Sequence, residues 1–233
     1  MPVAQLSADF SYRSLFLADV LAGDDNAGAE WELFSYDTPI GDNWVPLEVV
    51  YCGETGGPTG RGPEFYSTPG ELPEHERPIG DFPHLWGVGC GVLAKPALDA
   101  LRDLLAPYVE FLPLVSKEGE FTAFKVLRFA DALDRDKSKI DWFPQLKKDT
   151  GKPRVAREVR RYAFVESRLR DEVIFRLPEM PLSGPVFVTE RFMSVVRTHS
   201  LRGFKFTHVW PPVDERQKFL QKRLRKRGRA GRS

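Results

Sequence analysis

Cysteine is scarce in this chain. The 233 residues include two cysteines, Cys52 and Cys90, and each lies among small or apolar neighbours. Two cysteines exclude a disulfide framework, and they make a four-ligand structural zinc site implausible. We therefore expect both to be buried free thiols.

Long apolar runs are also missing. No window approaches the run of about 18 apolar residues that a membrane-spanning helix needs. The first residues, MPVAQLSADFSYRS, lack the basic-then-apolar order of a secretory signal. The sequence predicts a cytoplasmic protein with no membrane partner.

Charge is nearly balanced overall but not along the chain. The formal net charge is +1, yet residues 214–233 hold nine Lys/Arg against two acids, and residues 1–213 hold 25 against 31. The mildly acidic body suits a basic partner. The composition of the basic tail favours a segment that stays exposed to solvent. Contact with an acidic partner is one alternative and nucleic acid the other, the less favoured because the tail lacks the interleaved aromatic residues that stack bases.

The first part of the chain is typical of short strands separated by turns. Aromatic and β-branched residues stand between Gly, Asp, Asn and Pro clusters, which predicts strands at residues 12–20, 30–36 and 45–51. Residues 53–83 hold six Pro and seven Gly with few aliphatics, so a long irregular loop is expected there.

Helix and strand patterns alternate irregularly after this loop. Pro96 followed by apolar residues at spacings of three and four predicts a helix that ends at Pro107. Two apolar runs split by Lys117, Glu118 and Gly119 predict a β-hairpin. Further strands are predicted at residues 161–165, 172–177, 185–188 and 204–208. A second helix is predicted after Thr189, whose hydroxyl is expected to cap it, and this helix stops near Gly203.

This order of elements predicts an α+β fold. The regular alternation of strand and helix that builds a parallel sheet is missing, so we expect a mainly antiparallel sheet with a few packed helices and a long irregular loop. We divide the chain into a strand- and loop-rich part at residues 1–83, a second part at 84–212 and the basic tail at 213–233.

Local motifs for catalysis, cofactors or metals are not found. The glycine-rich stretch at residues 53–62 lacks the lysine of a phosphate-binding loop, and no GxSxG sequence occurs. The glycines of residues 86–91 have the wrong spacing for a dinucleotide loop and favour a tight chain reversal. The acids Asp131, Asp134 and Asp136 match no calcium loop and favour a solvated turn with the cations between them. We expect no cofactor and no bound metal.

Several stretches together resemble the immunity-protein family eleven of bacterial polymorphic toxin systems, formerly a domain of unknown function. The matching stretches, in order, are VEFLPL at residues 109–114, VLRFADALD at 126–134, RYAF at 161–164, IFRLP at 174–178, VFVTERF at 186–192 and LRGFKF at 201–206, followed by Val209 and Trp210. The resemblance spans about residues 84–210. One departure is Ser200, where the family usually carries glycine.

The resemblance implies a protein that protects its producer by binding and neutralising a cognate toxin, with no catalytic residues to carry over. Matched positions are mostly apolar or turn-forming, so recognition is expected on loops, with residues 53–83 and 131–152 as candidates. A standard interface of about 1,600 Å² with a few aromatic or Arg anchors is needed. The candidate partner-binding residues are Phe65, Tyr66, Asp134, Asp136, Trp142 and Phe143.

Two other functions stay open at this point. One is an enzyme in which His84, His199 or His208 meets a carboxylate inside a pocket formed by the fold. The other is a nucleic-acid-associated module that acts through residues 216–232. The sequence favours a protein that is not an enzyme, and it does not indicate the oligomeric state.

Overall fold

The computed structural model describes residues 1–18, 39–51, 72, 74–86, 90–144, 155–180 and 184–212. These residues form eleven strands and two α-helices. In chain order, the elements are β1 Val3–Ala8, β2 Leu15–Leu17, β3 Val49–Tyr51, β4 Gly91–Ala94, α1 Lys95–Leu105, β5 Val109–Pro113, β6 Phe121–Val126, β7 Lys139–Trp142, β8 Ala156–Arg161, β9 Ile174–Phe175, β10 Val186–Thr189, α2 Glu190–Thr198 and β11 Phe204–Trp210.

The strands form several antiparallel sheets, which confirms the predicted α+β class. One sheet has the order β11-β1-β10-β9 and a second the order β4-β6-β5, while β2 pairs with β3 and β7 with β8. The apolar core is layered around the two larger sheets. Strand β6 shows this clearly, because Phe124 and Val126 face a cluster that includes the helices, whereas Phe121 and Ala123 face a cluster that includes β2 and β3. A third cluster covers the opposite face of the four-stranded sheet.

The helices cover one face of each larger sheet. Pro96 lies in the first turn of α1, and Leu101 and Leu105 are fully buried in the same cluster as Phe192 and Val196 of α2. This helix, and the hairpin of β5 and β6, are where the sequence predicted them. The capping hydrogen bond predicted for the second helix is wrong. The Thr189 hydroxyl does not bond to the helix and instead donates to the Glu172 carbonyl at 2.8 Å.

Other strand predictions need correction. The strand predicted at residues 161–165 lies at Ala156–Arg161, and β1 was not predicted at all. Residues 87–89 of the reversal predicted at 86–91 lie outside the described residues, and β4 stands directly before the helix. Strand β1 lies between β10 and β11, and β2 and β3 share a cluster with Leu112. The division of the chain at residue 84 stays a prediction, and the predicted strand at 30–36 and the tail at 213–233 lie outside the described residues.

Helix α2 ends in a left-handed turn at Ser200. Its φ is 53°, the Ser200 N–H donates to the Arg197 carbonyl, and the Leu201 N–H donates to the Val196 carbonyl at 3.0 Å. This pair of bonds is the Schellman motif, in which the left-handed position normally holds glycine. The structure thus explains why glycine suits the position where this chain carries serine.

Replacing Ser200 with glycine is expected to stabilise the protein. A left-handed backbone costs a residue with a Cβ about 1–2 kcal/mol, and glycine avoids this cost. Glycine also gives the unfolded chain more conformational entropy, which cancels about half of the gain in stability. We expect a net gain of about 1 kcal/mol in the free energy of unfolding, measured by urea denaturation. Ser194→Gly, inside the same helix, is the control and should lose about 0.5 kcal/mol, the difference in helix propensity between serine and glycine. Equal effects of the two changes would contradict this explanation.

Candidate functional site

Strands β7 and β8 form a two-stranded ribbon beside the four described candidate residues, since Asp134 and Asp136 precede β7, Trp142 is its last residue and Phe143 follows it. Its register shifts between Lys139 and Ile140 and again between Asp141 and Trp142. These irregularities break the two-residue period of a strand, so the buried side chains of β8 are Ala156 and Val159, three residues apart. The remaining residues of β8, at 157, 158, 160 and 161, are exposed. Strand β8 therefore packs against the third cluster through these two side chains, and its other side chains face outward.

The ribbon is fastened to the protein body through Glu179. This carboxylate is 2% exposed and accepts a hydrogen bond from Arg135 Nε at 2.8 Å. The Glu179 carbonyl accepts a hydrogen bond from the Ala156 N–H at 2.6 Å, at the first residue of β8. One buried residue thus holds both the start of β8 and the turn that precedes β7.

Trp142 and Phe143 stand at one end of this ribbon, with different surroundings. Trp142 is half-buried and packs against the third cluster, which includes Val159 and Tyr162. Phe143 is 51% exposed, and its N–H donates to the carbonyl of Val155, which is 39% exposed. The end of the ribbon therefore presents a neighbouring pair of apolar side chains to the surroundings.

Asp134 and Asp136 belong to the turn before β7. The Asp134 carboxylate accepts a hydrogen bond from the Lys137 N–H at 3.1 Å and pairs with Lys137 Nζ at 3.0 Å, and these bonds lower the pKa of Asp134. Asp136 is exposed. Asp131 pairs with both Arg135 and Arg168. The described residues include no group of three or more His, Cys, Asp or Glu side chains that could hold a metal ion.

The loop predicted at residues 131–152 is wrong in part, because β7 occupies Lys139–Trp142. Phe65 and Tyr66, the other two candidate residues, lie outside the described part of the chain. The structure therefore brings four of the six candidates to one region. Val155 and the exposed cations of β8 also lie there, and they were not among the residues predicted from the sequence. They could not be predicted because their stretch of sequence has no regular spacing of apolar residues.

Charges on the ribbon are mainly positive. Strands β7 and β8 contain four Lys/Arg, namely Lys139, Arg157, Arg160 and Arg161, against Asp141 and Glu158. Arg160 pairs with both acids. Lys139 lies directly opposite Arg161 in the register, and like charges in that position repel. Lys139, Arg157 and Arg161 form no ion pair within the described ranges, so an external acidic group would relieve their repulsion.

Among the described residues, no carboxylate forms a hydrogen bond or ion pair with His84, His199 or His208. Burial lowers the pKa of His84, whose ring lies 4.8 Å from the Phe10 ring and 5.0 Å from the Trp86 ring, measured between centroids. His208 Nε2 lies 2.8 Å from the Pro211 carbonyl oxygen, and His199 is exposed at the end of α2. The histidine–carboxylate contact found among the described residues is a different one, His75 with Glu76 at 3.7 Å.

Comparison with known proteins gives a family match over the C-terminal half of the described fold. Residues 115–210 match the model of the Immunity protein family (Imm11). This range begins just after β5, runs through β11 and contains the whole ribbon. The stretch at 109–114, which carried part of the resemblance, lies outside the match.

No curated protein matches this chain. None of the helices in the described ranges is long and apolar enough to cross a membrane. The resemblance read from the sequence is confirmed at the level of the family, and residues 115–210 are the part of this chain that matches the Immunity protein family (Imm11).

Proposed function

We propose that this chain is a cytoplasmic immunity protein that binds a cognate bacterial toxin and neutralises it by protein–protein contact. The observation that carries this proposal is the family match over residues 115–210. Binding alone is sufficient for such a role, so no catalytic group is required. The proposal therefore treats the protein as a non-enzymatic inhibitor.

The ribbon of β7 and β8 is the proposed toxin-binding surface. It lies inside the matched range and shows exposed Phe143 beside exposed Val155. Aromatic residues and arginine are enriched at the centres of protein interfaces, and Arg157 and Arg161 stand on the same ribbon. The hydrogen bond from Arg135 to Glu179 holds the ribbon in place before the toxin binds. Less conformational entropy is therefore lost on binding.

The charge of the ribbon specifies the partner further. The acidic balance of residues 1–213 taken together pointed to a basic partner, but the local charge of the ribbon has the opposite sign. Lys139 lies opposite Arg161, Arg157 stands on the same strand as Arg161, and none of the three forms an ion pair among the described residues. We therefore propose that the toxin meets this ribbon with an acidic surface, and that raising the salt concentration slows association.

Co-expression tests the proposed function. The chain is produced with the product of the adjacent upstream gene in a sensitive host, and growth and co-purification are scored. Rescue of growth together with a stable complex is the expected result. Toxicity that the chain does not relieve, with no complex formed, would contradict immunity for that pair.

A matched pair of variants tests the surface. Phe143→Ala is expected to weaken toxin binding about tenfold or more, because an exposed aromatic residue at an interface centre contributes about 2 kcal/mol or more. Phe10→Ala is the control, since Phe10 is 46% exposed, lies outside the matched range and packs its ring against His84. Affinities are measured by calorimetry or surface plasmon resonance. Weaker binding with Phe10→Ala alone would move the interface away from the ribbon.

A further inference from the structure

A groove of about 370 Å³ lies where the ribbon of β7 and β8 meets the four-stranded sheet. Arg160, Arg161 and Tyr162 line it from the end of β8, and Gln5 of β1 and His208 of β11 line it from the sheet. Strand β11 is the outer strand of that sheet, so the groove lies beside the sheet edge. Its volume falls in the usual range of ligand pockets, about 300–1,000 Å³, which is enough to take up a side chain of a partner.

The groove carries positive charge, and no Asp or Glu is found among the described residues that line it. Arg160 is already paired, because its Nε donates to Glu158 at 2.9 Å and its Nη2 lies 3.8 Å from Asp141. Arg161 is exposed and donates from Nη2 to the Lys137 carbonyl at 3.1 Å. That bond leaves most of the five N–H donors of a guanidinium unused. The charge of Arg161 therefore stays available to an external anion.

A buried hydroxyl adds a neutral donor to the same lining. Tyr162 is 9% exposed, and its hydroxyl accepts a hydrogen bond from Gln5 Nε2 at 3.1 Å. Burial raises the pKa of Tyr162, so the hydroxyl keeps its hydrogen at neutral pH. No acceptor for that hydrogen is found in the described part of the chain. Because a buried donor without an acceptor is costly, a ligand that accepts from Tyr162 is favoured.

We propose that this groove receives an acidic side chain of the toxin, whose carboxylate accepts hydrogen bonds from Arg161 and Tyr162. The inference rests on the proposed function and names one chemical group of the partner. Carboxylates match the planar fork of a guanidinium, and the resulting hydrogen bonds are charge-assisted. Val159 and Val209 also line the groove and offer apolar surface to the methylene groups of the entering side chain.

The groove and the exposed apolar pair lie at opposite ends of the ribbon. Arg161 pairs with Lys139 at the start of β7, whereas Val155 is bonded to Phe143 just after the end of β7. Six steps along the chain separate Val155 from Arg161, which is about 20 Å of strand at about 3.3 Å per residue. A standard interface of about 800 Å² per partner spans this length. One partner therefore contacts both ends, with apolar groups at one and a carboxylate at the other.

Short peptides test the groove in the absence of the toxin. Blocked tripeptides with Glu, Gln or Lys between two glycines are titrated into the full chain at pH 7, and binding is followed by NMR shifts of the protein amides. The Glu peptide is expected to bind about tenfold more tightly than the Gln peptide, because charge-assisted hydrogen bonds are about twice as strong as neutral ones. The Lys peptide should bind least. Equal affinities of the Glu and Gln peptides would overturn the proposal.

Variants locate the binding. Arg161→Gln should lower the affinity for the Glu peptide to that for the Gln peptide, while Arg161→Lys keeps the charge and should lose about threefold. Tyr162→Phe removes only the hydroxyl and should also lose about threefold. Arg157→Gln is the matched control, since Arg157 is an exposed arginine of the same strand that does not line the groove. It should change the affinity less than twofold. Equal losses in Arg157→Gln and Arg161→Gln would mean a general attraction to the ribbon and contradict the proposal.

Co-expression tests the toxin as the occupant. Arg161→Glu should abolish rescue of growth, and changes of a toxin Asp or Glu to Lys that leave the toxin active should restore it. Restoration only by changes at other types of toxin residue would rule out the acidic contact. If the wild-type chain gives no rescue while the peptides still discriminate, the proposed function fails and the toxin is not the occupant. If it gives rescue while the peptides do not discriminate, the groove proposal alone fails.

Discussion

Arg128→Met is expected to lower the free energy of unfolding by about 3 kcal/mol. Arg128 donates from Nε to both carboxylate oxygens of Glu172, at 2.9 and 3.0 Å, and this pairing raises the pKa of Arg128. The Glu172 side chain is 4% exposed. Removing one partner of a buried pair leaves the other charge uncompensated, which costs about 3–5 kcal/mol. Because the Arg128 side chain is 52% exposed, water reaches the pair, and we expect the lower end of this range.

The pair stands where the two larger sheets join. Arg128 follows β6, and its carbonyl accepts the Arg176 N–H at 2.8 Å, just after β9. The Glu172 carbonyl accepts the Thr189 hydroxyl at the end of β10. Loss of the ion pair therefore loosens contacts of both sheets at once.

Chemical denaturation of three variants checks this prediction. Arg128→Met should shift the urea midpoint strongly. Arg128→Met combined with Glu172→Leu should recover much of the loss, because no charge stays buried. Arg170→Met, at an exposed arginine with no ion pair in the described part of the chain, should change stability by about 0.5 kcal/mol or less. A double variant as unstable as the single one would show that packing, and not charge, dominates.

Regular elements with a clear period could be predicted from the sequence. Helix α1 has leucines on one face and proline at its start, and strands β5 and β6 are separated by a polar turn with Gly119. Strand β11 alternates half-buried Phe204 and Phe206 with exposed neighbours. In each case local chemistry and tertiary packing favour the same structure.

Strands β1 and β8 could not be predicted, for physical reasons. In β1 the buried residues include Ala4 and Ala8, whose small side chains give little apolar signal, and its neighbours on both sides come from residues 186–210. In β8 two register shifts put the buried residues three apart, among arginines. Tertiary pairing decides such segments, and a single sequence does not show it.

The candidate site could likewise be predicted only in part. Trp142 and Phe143 were singled out as aromatic residues in a polar stretch, and the structure puts them at the end of a ribbon. The support of that ribbon could not be predicted, because Arg135 and Glu179 are 44 residues apart in sequence. Contacts of this kind exist only once the chain is folded.

Phe187→Ala is expected to cost about 3–5 kcal/mol of stability, as large-to-small changes of buried aromatic residues do. Phe187 is fully buried in β10. Its ring centroid lies 5.3 Å from that of Tyr162, 5.9 Å from Phe164 and 5.6 Å from Phe175. These four residues come from the stretches that resemble the family, so these shared positions build the core.

Phe143→Ala is the matched comparison, because it removes the same side chain from an exposed position. It should change the free energy of unfolding by about 0.5 kcal/mol or less, while it weakens toxin binding as proposed above. Phe187→Ala should instead lose stability, measured by urea denaturation, and reduce protection only through unfolding. Adding protein until the folded amount equals wild type should then restore rescue for Phe187→Ala but not for Phe143→Ala. The reverse pattern would mean that the core position recognises the toxin and that the ribbon does not.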